Sequence, residues 1–162
     1  MKAETMFKDY NKMKREMAFL ELQLQSFTGL SVEDMITSMT FTGEPEGDRV
    51  QTSGTSDKTC SIALDYRKRL AQENADYYRF LYDKYAQIKK EIDFFENGIR
   101  TLGEKKADIV FEILDGDLTW DDISAQYNVC RGTIFNYRKT AIAALNELYK
   151  ARERMELEYM LS

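Results

Sequence analysis

Residues 118–145 read LTWDDISAQYNVCRGTIFNYRKTAIAAL, and each position has a physical reading. Thr119 is an N-cap, and Asp122, three residues on, completes a weaker form of the capping box. Leu118 and Ile123 flank that cap as a hydrophobic staple. Ile123 and Tyr127, four apart, face one core, and the small Ser124 lets the next helix approach closely. Asn128 falls where the turn needs left-handed backbone, which Asn tolerates better than most residues. Val129 fills the turn from below, and Cys130 stands at the next N-cap, with Val129 and Ile134 as the second staple. Ile134, Tyr137, Ala141, Leu145 and Leu148 then run down one face at helical spacing. Two helices joined by a tight turn in this pattern form a helix-turn-helix.

In such a unit the second helix enters the major groove of duplex DNA, N-terminal end first. Its outward residues here are Arg131, Gly132, Thr133, Asn136, Lys139 and Thr140. Arg131 lies near the positive end of the helix, where phosphate binds well. Asn136 suits an adenine edge, and Lys139 a guanine or a phosphate. Between Arg131 and Lys150 the basic residues are Arg131, Arg138, Lys139 and Lys150 against the single acid Glu147, a local charge of +3 in a chain whose net charge is −5. The overall acidity, with a pI near 5.0, argues against indiscriminate nucleic-acid binding, because phosphate neutralisation needs positive surface.

The same stretch resembles region 4 of sigma-70-type factors. In that family a threonine-capped helix leads through Gly-Val-Ser-Arg into the recognition helix. Thr119, Ile123, Val129, Arg131, Ile134, Lys139, Ala141 and Leu145 match the pattern or are close equivalents, and KKADIVFEILDGD, just upstream, resembles the preceding helix. The resemblance covers roughly the last 60 residues. The full layout is similar to a narrower group, the ArpU-like late-gene regulators of phages and prophages of Gram-positive bacteria, and Trp120 matches their "tWddIa" element. This resemblance implies activation of phage or prophage genes with RNA polymerase. Asn128 replaces the family's usual glycine and Cys130 its serine, while Gly132 and Phe135 stand where polar residues are common. The regions that bind core polymerase in complete sigma factors are not recognisable, so the expectation is a regulator rather than a sigma factor.

Outward from this segment the chain is expected to be all-α. Pro45 is the only proline in 162 residues, and strong helix formers dominate. From Lys2 to Phe27 the apolar residues Met6, Tyr10, Met13, Met17, Leu20, Leu24 and Phe27 step by 4, 3, 4, 3, 4, 3, a seam of the coiled-coil type. A short helix capped by Ser31 follows Gly29. Thr40–Lys58, rich in Gly, Ser and Thr, reads as a flexible loop. A long helix then starts near Ser56 or Asp57 and runs to Asn97-Gly98, which reads as a C-cap; about 40 helical residues reach roughly 60 Å. The expected architecture is a long antiparallel helical hairpin over 1–101, with its loop at about 40–57, followed by a helix-turn-helix domain over 102–162. The hairpin's uncovered seam calls for a second subunit, a homodimer through the long helix, or for the C-terminal domain packing back.

The chain has no histidine and only two cysteines, Cys60 and Cys130. No nucleophile–base pair, phosphate loop or metal-type spacing is visible, so no enzyme activity, cofactor or metal is expected. Asp115, Asp117, Asp121 and Asp122 lack the spacing of a calcium loop and read as solvated caps. No apolar run reaches the roughly 18 residues of a membrane span, and the start of the chain does not read as a signal peptide. A reducing cytoplasm is the expected compartment. Two other functions fit the layout: a DNA-packaging subunit similar in logic to a phage small terminase, and a coiled-coil interaction module that binds no DNA.

Overall fold

The computed structural model describes residues 2–29 and 55–162, with side chains from residue 67 onward in the second stretch. The described residues form five helices and no strand: α1 (Lys2–Gln25), α2 (Thr55–Arg100), α3 (Glu104–Asp115), α4 (Trp120–Tyr127) and α5 (Arg131–Leu161). The described residues are therefore all-α. The expected short helix after Ser31 and most of the expected loop lie outside the described residues, while Thr55–Lys58 already belong to α2. No helix among the described residues is long and apolar enough to cross a membrane.

The chain falls into two compact units, one made of Met1–Phe19 with Tyr85–Ser162 and the other of Leu20–Lys84. In the first, the start of α1 and the end of α2 share a core with the last three helices. Ala3, Met6 and Tyr10 of α1 join Ile92, Phe95 and Ile99 of α2, Val110 and Leu114 of α3, and Ala141, Leu145 and Tyr149 of α5. α5 runs antiparallel to α2. Leu145 lies at Gly98, the Tyr149 ring is 5.0 Å from Phe94, and Arg152 pairs with Glu91 at 2.5 Å.

Gly98 corrects the sequence reading. It does not end the long helix, which continues to Arg100. A Cβ on Gly98 would stand 2.5 Å from Leu145 Cδ2 and 3.2 Å from Leu148 Cδ1, so the glycine lets α5 lie directly on the α2 backbone. The helix stops where Thr101 and Leu102 form a turn and Gly103 takes φ +93°. The C-terminus of α3 is closed by Gly116, whose left-handed backbone returns its N–H to Glu112 O. Asn11 of α1 reaches the same end, donating Nδ2–H to Leu114 O at 2.7 Å and supplying one of the partners that helix ends lack.

In the second unit Leu20 and Leu81 are buried. Phe27 packs between Tyr77 and Tyr78, with centroids 5.8 and 5.6 Å away, and Gly29 faces Asn74. Leu22, Phe80 and Tyr82 stay exposed.

Two buried tyrosines of the first unit differ in one respect that is measurable. Tyr10 donates its hydroxyl to Glu96 at 2.8 Å, whereas the Tyr149 hydroxyl is buried with no hydrogen-bond partner among the described residues. Burial, and secondarily the Glu91 carboxylate, pushes Tyr149 up to about 12; burial and the bond to Glu96 push Tyr10 upward as well. The folded state thus holds both phenolic protons more tightly than the unfolded chain, where tyrosine titrates near 10. This contribution is fully present below pH 10 and is lost as pH rises, for Tyr149 between about 10 and 12. Urea denaturation should show a falling midpoint across that window. Tyr149→Phe should be neutral or stabilising at pH 7 and make the alkaline decline shallower, while Tyr10→Phe should cost about 1–2 kcal/mol.

Candidate nucleic-acid interface

α3, α4 and α5 are joined around a small core of their own. Ile109, Ile123 and Ile134, one from each helix, are fully buried, with Leu118, Tyr127, Val129 and Tyr137 packed around them. The local chemistry that places α4 is the chemistry read from the sequence. The Thr119 hydroxyl accepts the Asp122 N–H, and the Asp122 carboxylate accepts the Thr119 N–H at 3.0 Å. The Thr119 hydroxyl, which donates to Asp122 Oδ2 at 2.6 Å, and then the Thr119 N–H hold the Asp122 carboxylate below the usual aspartate range. Leu118 packs against the cluster that buries Ile123.

The turn is equally determined. Asn128 takes φ 50°, ψ 52°, the left-handed conformation, as the sole non-glycine residue with positive φ among the described residues. Ser124 does more than leave room. Its hydroxyl donates to Val129 O at 2.6 Å and its own carbonyl accepts Val129 N–H, so one residue of α4 clamps both polar groups of the turn. Cys130 sits at the N-cap of α5 in extended backbone without capping a backbone N–H through its side chain. Its exposed thiol lies 3.2 Å from Thr133 Oγ1, and hydrogen bonding with Thr133 lowers its pKa below the usual cysteine value.

α5 buries Ile134, Ala141, Leu145 and Tyr149. The inward face centres on Tyr149, while Leu148 borders Gly98 of α2 at its edge and remains 36% exposed. Gly132, Asn136, Lys139 and Thr140 are exposed and Thr133 is half-buried. At 100° per residue, Gly132, Asn136 and Lys139 fall on the side opposite Ile134 and Ala141, and Phe135, 52% exposed, borders them. The Thr140 hydroxyl turns back to donate to the Asn136 backbone carbonyl at 2.8 Å.

The four basic residues are not equally available. Arg138 lies over the Phe7 ring, 5.7 Å from its centroid. Lys150 pairs with Glu147 at 2.8 Å. Arg131 is held by Asp121 through two hydrogen bonds, Nε to Oδ1 at 2.6 Å and Nη2 to Oδ2. Lys139 is exposed, with no ion pair or ring contact among the described residues. The Arg131–Asp121 pair was not legible from spacing, because the partners stand ten positions apart on different helices. Of the four clustered acids, Asp122 caps and Asp121 pairs. No group of three potential metal ligands converges among the described residues. A groove of about 540 Å³ beside α5 is lined by Lys2, Lys139, Ile142, Asn146 and Tyr149, among others. Its Lys2 is drawn to Glu153 at 3.8 Å.

No protein-family pattern matches the chain, and no curated protein or solved structure gives a significant match.

Proposed function

We propose that the protein is a sequence-specific DNA-binding transcription regulator whose α4–turn–α5 segment is a helix-turn-helix. The observation that carries this reading is the exposed polar face at the start of α5, with Gly132, Asn136 and Lys139 outward while Ile134 anchors the same turns in the core. A short α4, a left-handed turn residue and a second helix seated by a shared isoleucine core present such a face rigidly, as groove recognition requires. Gly132 keeps that face flat at its first turn, since a Cβ there would meet Cys130 Sγ alone, at 3.8 Å. The resemblance to sigma-70 region 4 and to ArpU-like regulators extends the proposal to activation of phage or prophage genes alongside RNA polymerase in the cytoplasm.

The long helices complete the proposal as an antiparallel hairpin. Within the Leu20–Lys84 unit, Phe27 meets Tyr77 and Tyr78, and Gly29, further along, meets the earlier Asn74. The exposed Leu22, Phe80 and Tyr82 of that unit favour a homodimer through the long helix, for which a palindromic site is the expected signature.

The test is selection of binding sites from a random duplex DNA pool, at two salt concentrations, beside an Arg131→Ala, Asn136→Ala, Lys139→Ala variant. The wild type is expected to enrich a defined motif that the folded variant does not. Lys139→Ala alone should weaken all sequences alike and reduce the salt slope by about one. If the wild type enriches nothing at low salt, the regulator reading fails and a protein partner becomes the function to seek.

A further inference from the structure

We propose that Arg131 reads a guanine edge and that Asp121 holds it in position to do so. The inference rests on the DNA-binding reading and assigns Arg131 a base rather than a phosphate.

A guanidinium has two edges that can each present a pair of parallel N–H donors. Asp121 occupies the lateral edge of Arg131, taking Nε–H and one Nη2–H. The terminal edge, made by Nη1 and the second Nη2 hydrogen, has no partner among the described residues. Both side chains are more than three-fifths exposed, so that edge is open at the first turn of α5. Two parallel donors of this spacing match O6 and N7 of guanine in the major groove.

The carboxylate also changes what the arginine prefers. A free guanidinium is a flexible cation that any phosphate attracts. Clamped to Asp121, it belongs to a pair without net charge, so the long-range pull of phosphate is largely cancelled while the directed donors remain. Its side-chain freedom is already restricted before DNA arrives, which lowers the ordering cost of a two-bond contact. The clamp stands on fixed ground. Asp121 is the second residue of α4, beside the Thr119–Asp122 capping box, and Arg131 is the first residue of α5. A positioning carboxylate on one rigid element and a reading arginine on the next is an arrangement suited to specificity. An unpaired arginine at this helix end would suit general phosphate contact instead.

Asp121→Ala, Asp121→Asn and Arg131→Lys, each checked for an unchanged melting curve, would be carried through site selection and then salt titration on the selected duplex and on its single-position variants. The wild-type motif should contain one G·C pair whose replacement weakens binding on the order of ten-fold or more. Both Asp121 variants should flatten the preference at that pair and leave the others intact. Arg131→Lys, which keeps the charge but lacks the two-donor edge, should do the same. The proposal is overturned if Asp121→Ala binds every sequence more tightly, with a steeper salt dependence and an unchanged motif. Asp121 would then merely mask a phosphate-binding arginine, and the DNA-binding reading would stand. A wild-type protein that enriches no motif would sink both.

Discussion

Leu145→Ala should lower the unfolding free energy by about 3 kcal/mol, and Gly98→Val by about 2 kcal/mol, yet the two together should cost clearly less than their sum. Leu145 is fully buried, and truncating such a leucine loses its transfer free energy and leaves a cavity, typically 2–5 kcal/mol in all. Gly98→Val acts from the opposite side. Its Cβ alone would stand 2.5 Å from Leu145 Cδ2, so α5 has to lift or Leu145 has to leave its rotamer, an overpacking strain of about 1–3 kcal/mol. Leaving glycine behind in a helix interior returns only a few tenths of a kcal/mol. In the double variant the valine methyls enter the space that the leucine vacates, so a coupling of about 1 kcal/mol or more is expected. Urea denaturation of the four proteins in the cycle measures it. Additive losses would mean that the close approach of α5 to α2 is not what these residues share.

Gly98 also shows where sequence reading stops. An Asn-Gly pair at the end of a long apolar pattern is a sound local signal for a helix end, and the helix ends three residues after Asn97. The glycine nevertheless serves a contact with Leu145, 47 positions away, that no local rule encodes. Features set by neighbours a few residues apart were legible: the Thr119–Asp122 box, the left-handed Asn128 and the buried Ile123 and Ile134 all follow from spacing alone. The apolar seam of α1 was legible too, with Met6, Tyr10 and Leu20 buried. Features set by tertiary approach were not. Arg138, counted as positive surface, rests on Phe7 of α1, and Arg131 is engaged by Asp121. The charge of a helix is a property of its sequence, but the charge it offers to a partner depends on what packs beside it.

Ile134→Ala should cost about 2–5 kcal/mol and act on α4 more than on α5. The small core that joins the last three helices has only three fully buried residues, Ile109, Ile123 and Ile134, so removing one takes away much of what holds α4 in place. α4 has eight residues, too few to persist as a helix without packing. α5, by contrast, is also anchored through Ala141, Leu145 and Tyr149 in the larger core of its unit. The variant should therefore keep α5 folded while α4 opens locally. Hydrogen exchange would read this directly, with protection falling across residues 118–130 and largely kept across 141–149. Ile134→Val, which removes a single methyl, should cost only about 0.5–1.5 kcal/mol and preserve protection in both. Under the proposed function the alanine variant should also lose sequence preference, because an unseated α4 no longer holds Asp121 against Arg131, even though every residue of the exposed face is unchanged. Unaltered protection in α4 would show that the Thr119 cap and the Ser124 clamp hold it without the isoleucine core, and the rigidity of the recognition surface would then have to be sought in those polar contacts.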